Sequence, residues 1–193
     1  MSPKYKKAII SAAILMLWPA AQYAMDLEVG MVYGRRMVAD PKIRGVYGNG
    51  TVYDPFLAVR LWKGLAVGVD YEGGYSRTGK IGTYQEPTSL KVTGSEFFVR
   101  YELNLKFVSP FVKVGYGSYS YQQTIESPHI AGHVVDGTKS CPSFAGGLRF
   151  FPVKFLFLSA ELKYVPLKVK PYEEEVDLGG MRYLVGAGFR FSF

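Results

Sequence analysis

The amino-acid sequence predicts an all-β fold: an eight-stranded antiparallel up-and-down transmembrane β-barrel with short periplasmic turns and four long external loops. Three observations lead to this prediction. The chain begins with the pattern of an export signal, eight later segments alternate between apolar and polar residues, and the connections between these segments alternate in length. Period-two alternation is typical of β-strands whose two faces meet different surroundings.

The N-terminus has the composition of a secretory signal peptide. Three lysines among the first seven residues precede an uncharged, largely apolar run at residues 8–18. As a helix, this 11-residue run would rise only about 16 Å, whereas a bilayer core is about 30 Å thick. We therefore predict a cleaved signal peptide, residues 1–24, followed by one outer-membrane β-barrel domain, residues 25–193.

Composition narrows the functional classes. Removal of residues 1–24 leaves 20 basic and 16 acidic residues, a net charge of about +4. This modest excess, without a basic stripe interleaved with stacking aromatics, argues against a nucleic-acid partner. The single cysteine, Cys141, excludes an internal disulfide. An aromatic content of 16% together with 22 glycines fits a sheet protein with tight turns and rings at the membrane interface.

Eight segments each place apolar residues on one face and small or charged residues on the other. By their apolar residues, the predicted strands are 27–33, 53–61, 65–71, 97–105, 112–116, 144–150, 156–164 and 181–193. Three connections are short, at 63–64, 106–109 and 151–154, and four are long, at 37–50, 74–90, 121–140 and 167–180. Short periplasmic turns, long external loops and an even strand number are typical of outer-membrane barrels.

The charges of these strands lie on the face opposite the apolar residues. A lipid-facing Arg or Lys costs about 2 to 4 kcal/mol near the midplane, so the charged face is predicted to line the lumen. Its acids are Asp26, Glu28, Asp54, Asp70, Glu72, Glu96, Glu102 and Glu161, and its bases are Arg36, Arg60, Arg100, Lys113, Arg149, Lys163, Arg182 and Arg190. Because unpaired charges in a low-dielectric interior are costly, we predict a network of ion pairs across the lumen.

The alternation alone also permits a second interpretation. A soluble antiparallel sandwich or lipocalin-like barrel alternates in the same way, with its apolar face inside and its charged face in water. The export signal, the alternating loop lengths and the aromatic C-terminal strand favour the membrane barrel.

Two segments resemble a known family. Residues 185–193 read VGAGFRFSF and residues 110–117 read PFVKVGYG. Both resemble the OmpA/OmpX-like superfamily of small, porin-like outer-membrane barrels, and the resemblance extends over essentially the whole mature chain. It implies a place in the bacterial outer membrane of the cell envelope, and it implies that the ending with Phe189, Phe191 and Phe193 is the signal read by the outer-membrane assembly machinery. Members differ in role, so the family leaves the function open.

The strand number limits what the interior can do. Eight strands leave a space that side chains fill, so we predict a plugged lumen. The predicted role is non-enzymatic and structural or surface-interacting, without a cofactor or metal, and the predicted partners are membrane lipid, lipopolysaccharide and a surface ligand held by the external loops. The alternative is an OmpW-like passage for small hydrophobic solutes that leave sideways through the wall.

The external loops contain the residues available to such partners. Bases in the first and second loops could meet lipopolysaccharide phosphates; they are Arg35, Lys42, Arg44, Arg77 and Lys80. Arg35 and Lys91 are the only outward-facing charges at the strand ends. The fourth loop contains an acidic run that either is solvated or holds divalent cations. Its members are Glu173, Glu174, Glu175 and Asp177. The OmpX-like resemblance further suggests that residues 116–121 belong to a protruding sheet that binds other surfaces.

Lipid A modification is a third hypothesis. Its candidate residues are Glu126, Ser127, His129, His133 and Asp136. Their spacing permits a Ser-His-acid arrangement, but the segment SPHIAGH does not resemble the His-x-Ser motif of lipid A deacylases, so we assign no catalytic residue. Pro128 and Gly132 disfavour a helix that would bring both histidines to one metal, and two ligands make a weak site.

Overall fold

The computed structural model describes residues 25–62, 64–105, 107–126, 133–172 and 174–193. The predicted signal peptide, residues 1–24, lies outside them and stays a prediction. The elements are β1 (Asp26–Val38), α1 (Pro41–Tyr47), β2 (Gly50–Trp62), β3 (Leu65–Ile81), β4 (Glu86–Glu102), β5 (Val108–Ile125), β6 (His133–Val153), β7 (Leu156–Val165), β8 (Lys168–Tyr172), β9 (Glu174–Asp177) and β10 (Gly180–Ser192). Within the described ranges, no helix is long and apolar enough to span a membrane.

Eight of these strands form one closed barrel, in the order β1-β10-β7-β6-β5-β4-β3-β2. Every neighbouring pair is antiparallel, and β1 closes the sheet against β10 over the full range from Asp26–Ser192 to Val38–Gly180. The predicted fold class is confirmed. Closure leaves no open sheet edge at the depth of the membrane, where unpaired backbone groups would have no water to bind.

The barrel wall is apolar outside. On β4, for example, the outward Phe97 is 56% exposed, whereas the inward Phe98 is 1% exposed. Outward aromatic residues form two girdles. Exposed tyrosines mark the external one; they are Tyr33, Tyr53, Tyr71, Tyr116, Tyr164 and Tyr183. Exposed aromatics near the short turns and the C-terminus mark the periplasmic one; they are Trp62, Phe107, Phe150, Phe155, Phe189, Phe191 and Phe193. An apolar band between two aromatic girdles fits a bilayer.

The external connections are more ordered than the sequence predicted. The predicted loop 74–90 is mostly strand, because β3 continues to Ile81 and β4 begins at Glu86. The predicted loop 121–140 is likewise strand on both sides, since β5 runs to Ile125 and β6 starts at His133. The loop 37–50 contains α1, capped by the Asp40 carboxylate, and the loop 167–180 contains the hairpin β8–β9. The predicted extents of the loops 74–90 and 121–140 were therefore wrong, whereas the connections predicted at 37–50 and 167–180 lie between the strands as expected but contain secondary structure of their own.

A four-stranded sheet rises above one side of the barrel. β2 pairs with β3 only as far as Tyr53–Gly73, and β7 pairs with β6 only from Phe144–Tyr164. Strands β3 to β6 stay paired far beyond these points, as far as the pair Ile125–His133. We call residues 75–81, 86–95, 118–125 and 133–143 the protruding sheet. On the other side, the strands end near the external girdle.

Candidate functional site

The candidate site is the lumen, because thirteen of the sixteen predicted lumen charges are buried. The other three, Asp26, Arg60 and Arg190, are half-buried near the periplasmic end. Side chains that carry opposite charges lie within 4 Å of each other in three layers and one separate pair. The layers follow one another from the periplasmic end outwards as a lower, a middle and an upper layer.

The lower layer joins two acids to three arginines. Glu28 accepts hydrogen bonds from Arg100, from Arg149 at 2.8 Å and from Arg190 Nε at 2.9 Å. Glu102 accepts from Arg190 at 2.9 Å and from Arg149 at 3.3 Å. Since these residues come from β1, β4, β6 and β10, the layer ties opposite walls of the barrel together.

Inward phenylalanines surround this layer. The guanidinium carbon of Arg149 lies 4.2 Å from the ring centre of Phe157 and 5.5 Å and 5.7 Å from those of Phe111 and Phe56. Cation–π contacts of this kind stabilise a desolvated arginine. These rings were not predicted from the sequence, although their inward parity on β2, β5 and β7 was the signal that could have found them.

The middle layer is centred on Lys163, which is fully buried. Its Nζ lies 3.3 Å from Asp54 Oδ2, 3.5 Å from Asp70 Oδ2 and 3.3 Å from Glu96 Oε2. Asp70 and Glu96 are direct neighbours in the β3–β4 register. Two like charges in such a position repel, so the lysine from the far wall at β7 supplies the charge that holds them.

Lys113 completes the middle layer from β5. Its Nζ lies 2.7 Å from Glu161 Oε1 and 3.4 Å from Asp70 Oδ2. Gly115, two residues further along β5, leaves the room that Glu96 occupies, because a Cβ there would lie 2.2 Å from Glu96 Oε1. A larger residue at 115 would therefore displace a carboxylate of this layer.

The upper layer is built on Glu72, which is 1% exposed. Arg182 binds it with two nitrogens, at 2.7 Å and 2.8 Å, in the bidentate geometry that favours arginine. Arg36 adds a contact of 3.4 Å to Glu72 and also donates to the backbone oxygen of Leu178. The ring centre of Tyr75 lies 4.4 Å from the Arg36 guanidinium carbon.

The three layers alternate in net charge. The lower layer has two acids and three bases, the middle layer four acids and two bases, and the upper layer one acid and two bases. Counted with every group ionised, the formal charges are therefore +1, −2 and +1, and the pair Asp26–Arg60, at 3.6 Å, is neutral. The net charge of −2 that remains in the middle layer after its two lysines are counted is thus balanced by the charge of +1 in each neighbouring layer.

An apolar cluster covers the external mouth of the lumen. We call it the external core; its buried members are Val32, Val38, Tyr47, Val52, Tyr75, Leu90, Val92, Tyr119, Cys141, Val165, Leu167, Val169, Leu178 and Leu184. Tyr47 comes from α1, and Leu167, Val169 and Leu178 come from the β8–β9 region. Tyr119 links the cluster to the middle layer, because its hydroxyl donates to Glu96 at 2.9 Å. The sequence analysis did not predict this cluster.

The wall and loop residues singled out in the sequence are placed as follows. Arg35 is outward and exposed near the external end of β1, and Lys91 is outward and exposed within the part of β4 that belongs to the protruding sheet. Glu175 pairs with Lys168 at 3.3 Å in the hairpin β8–β9, where both side chains are exposed. The Asp177 carboxylate accepts from the backbone of Gly179 at 2.8 Å. Glu173 lies outside the described residues.

The third loop holds the residues considered for catalysis. Ser127 and His129 lie outside the described residues, and Glu126 and Asp136 are exposed. Asp136 faces Gln122 in the β5–β6 register. In the part of the chain that the structure describes, no three His, Cys, Asp or Glu side chains are grouped so that they could hold a metal.

The apolar outer wall, the closed eight-stranded sheet and the charged lumen define a transmembrane β-barrel of the bacterial outer membrane. The family model of the outer membrane protein beta-barrel domain matches residues 10–191, and the chain belongs to this family. The predicted family resemblance and location are thereby confirmed. A comparison with curated protein sequences finds no match.

Solved structures show the same fold at low identity. The N-terminal β-barrel domain of Pseudomonas aeruginosa OprF is 14% identical, with a TM-score of 0.56, and the match covers 87% of this chain and 97% of that one. Ail, the attachment invasion locus protein of Yersinia pestis, is 16% identical, with a TM-score of 0.55 and coverages of 87% and 98%. A major outer membrane protein from Thermus thermophilus is 15% identical, with a TM-score of 0.54 and coverages of 88% and 100%.

Proposed function

We propose that this chain is a non-enzymatic outer-membrane barrel whose lumen is plugged and whose role is structural or surface-interacting. The observation that carries the proposal is the set of ion pairs that cross the lumen. Direct neighbours in the barrel register often have the same sign, as in Asp70–Glu96 and Arg100–Lys113. Their partners therefore come from other walls of the barrel.

This arrangement supports a plug for an electrostatic reason. A small ion of either sign that enters the lumen meets at least one layer of its own sign, because the layers alternate. Removing one partner from a buried ion pair costs about 3 to 5 kcal/mol, so several pairs would have to separate together to open a path. The external core adds an apolar barrier above the upper layer.

Planar-bilayer recording tests the plug. We expect the refolded protein to give no reproducible conductance steps under conditions in which a 16-stranded porin, whose lumen is aqueous, conducts steadily. Refolding is checked by heat-modifiable migration on gels. Regular steps, or saturable uptake of a hydrophobic solute into vesicles, would contradict the plug and favour the OmpW-like passage. A changed lipid A mass spectrum on overproduction would contradict the non-enzymatic role.

The surface-interaction part of the proposal rests on the protruding sheet. β6 is paired with β5 from His133 onwards but with β7 only from Phe144 onwards. The intervening backbone can pair with an extended segment of another protein. We expect adhesion of expressing cells to fall when residues 120–138 are replaced by a two-residue Asn-Gly turn. Unchanged adhesion with normal heat modifiability would count against this role.

The outer surface of the barrel wall indicates the remaining proposed partners, which are membrane lipid, lipopolysaccharide and the assembly machinery. Lipid surrounds the apolar band, and Arg35 and Lys91 lie where lipopolysaccharide phosphates would be within reach. Phe189 and Phe191 are 47% and 46% exposed on the outward face of β10, and Phe193, which follows β10, is 82% exposed. We propose that the assembly machinery reads this ending. Deletion of Phe193 is expected to lower the yield of inserted protein in cells while refolding in detergent is retained.

A further inference from the structure

Two adjacent rows on the outward face of the protruding sheet consist entirely of hydroxyl-bearing residues. The first row is Ser95, Ser118 and Ser140, and the second is Thr93, Ser120 and Thr138. We call these six residues the hydroxyl face. Five are exposed and Thr93 is half-buried. With strands about 4.8 Å apart and equivalent residues about 6.8 Å apart along each strand, the rows form a regular grid.

The first row of the hydroxyl face borders the lipid-facing surface, since Ser95 is in register with Tyr71 of the external girdle on β3. The row directly below it is Phe97, Tyr116 and Pro142, in register on the same three strands. Phe97 and Tyr116 are exposed to the surroundings of the barrel and belong to the level of the external girdle. The hydroxyl face is therefore continuous with the membrane surface and stands at the depth of the sugars of the outer leaflet.

The residues behind the face hold it in place. Val92, Tyr119 and Cys141 lie on the opposite side of the same strands and are buried in the external core. Within the face, the hydroxyls of Ser120 and Thr138 are hydrogen-bonded at 3.1 Å. A preorganised surface of short side chains loses little conformational freedom when it binds a partner.

The absence of charge at these six positions distinguishes the face from an ordinary water-facing surface, of which about a quarter or more is normally charged. A hydroxyl both donates and accepts hydrogen bonds, so a grid of hydroxyls matches a ligand that itself carries hydroxyls on many sides. The next row outwards is Lys91, Gln122 and Asp136, in register, with the base and the acid both exposed and separated by the β5 strand that carries Gln122. A base at that position suits a phosphate attached to a sugar chain.

We propose that the hydroxyl face binds the core oligosaccharide of lipopolysaccharide in the leaflet that surrounds the barrel. The sugars lie against the two hydroxyl rows, and Lys91 contacts a phosphate one row further out. This inference names the chemistry of one partner and a surface for it. It does not depend on the plug, since a conducting lumen would overturn the plug and leave this surface unchanged.

The test compares glycolipids that share lipid A but differ in sugar. The protein is refolded in nanodiscs that contain core-bearing lipopolysaccharide or lipid A alone, and the lipid retained around it is measured by mass spectrometry after exchange with excess phospholipid. We expect preferential retention of the core-bearing form. The variant S95A/S118A/S120A/T138A should lower that preference at least about tenfold, because the loss of a single net hydrogen bond already approaches that factor.

A matched control uses exposed hydroxyls outside the face. The variant T51A/T83A removes two such groups and is expected to retain the preference of the unchanged chain. Heat-modifiable migration checks that each variant is folded. Equal retention of lipid A and core-bearing lipopolysaccharide by the unchanged chain would overturn the proposal, as would a fourfold variant with undiminished preference. A variant that altered only self-association would also overturn it, because the face would then be an interface between copies.

Discussion

Strands β4 and β5 change their polarity at the external girdle. Below it, their outward residues are apolar, such as Val99 and Val114, and their inward residues include Arg100 and Lys113. Above it, the outward residues are polar, with hydroxyls in the first two rows, and the inward residues, such as Val92, are apolar and buried. The same two strands therefore form an inside-out wall in the membrane and a conventional sheet with an apolar core above it.

The difference shows that the solvent, and not the strand, decides which face is apolar. In lipid, an apolar outer face is well solvated, and charges must find partners across the lumen. Above the membrane, water surrounds the sheet, so burial of Leu90, Val92 and Tyr119 under α1 and the β8–β9 region gains the usual hydrophobic stabilisation. One strand can satisfy both rules because its side chains alternate along its full length.

The largest effect is expected from loss of charge in the lower layer of the lumen. Glu28→Gln removes the carboxylate that faces Arg100, Arg149 and Arg190. Three guanidinium groups would then share Glu102 alone, and we expect the free energy of unfolding to fall by about 3 to 5 kcal/mol. Urea titration of the refolded protein in phospholipid vesicles measures the change.

The matched control is Glu175→Gln, which breaks an exposed pair with Lys168 in the external hairpin. Exposed pairs contribute little, so a change below about 1 kcal/mol is expected. Comparable losses in the two variants would show that burial does not determine how much these ion pairs contribute to the free energy of unfolding. The lumen and the external surface would then not differ in this respect.

The second prediction locates the level of the polarity change. Val112→Arg places a charge on the lipid face of β5 near the middle of the apolar band, where it should cost about 2 to 4 kcal/mol. Ser118→Arg lies on the same strand and face, but above Tyr116, and should change the free energy of unfolding by no more than about 0.5 kcal/mol. The same urea titration compares both variants with the unchanged chain.

The result is informative about the boundary itself. A cost for Ser118→Arg as large as that for Val112→Arg would mean that lipid tails reach beyond Tyr116. The hydroxyl face would then lie inside the bilayer, and the inference about the core oligosaccharide would be contradicted together with the polarity change.

The sequence sufficed for the membrane part of the fold because one rule holds there throughout. The outward residues that the alternation assigned on β4, from Phe97 to Tyr101, are all exposed, and Glu96, Arg100 and Glu102 are buried. The charges were assigned to the inner face by the cost of exposing them to lipid. Their individual partners could not be predicted, since Lys163 meets Asp54 across the lumen through strand tilt that no single strand encodes.

The external part was misjudged because the rule reverses there. Residues 88–95 alternate as regularly as residues 96–103, but with apolar Leu90 and Val92 on the face that holds Glu96 below. Judged by the membrane pattern, such a segment has no consistent lipid face and is interpreted as a loop. The length of β3 to β6 therefore could not be predicted from the alternation and is defined by the pairing of these strands. The same holds for the external core, which this pairing forms.

The third prediction concerns the contact between the two regions. Tyr119→Phe keeps the ring in the external core but removes the hydroxyl that donates to Glu96 at 2.9 Å. A hydrogen bond to a charged group contributes about 1.5 to 3 kcal/mol, and a loss near the lower end of that range is expected because Lys163 still holds the carboxylate. Tyr121→Phe, on the same face and half-buried, is the control. Equal losses from both would show that the hydrogen bond to Glu96 contributes no more than any hydroxyl on this face, and the proposed link between the two regions would fail.

The smallest effect is expected at the periplasmic end, where the lumen opens to water. Asp26→Asn breaks the pair with Arg60, whose atoms are 3.6 Å apart and whose side chains are 16% and 14% exposed. Water and salt reach these groups, so the loss should not exceed about 1 kcal/mol and should shrink further at high ionic strength. Urea titrations at low and high salt measure both features. A loss as large as that of Glu28→Gln, and insensitive to salt, would show that the dry, charge-paired lumen extends to the periplasmic rim, with no gradual transition to water.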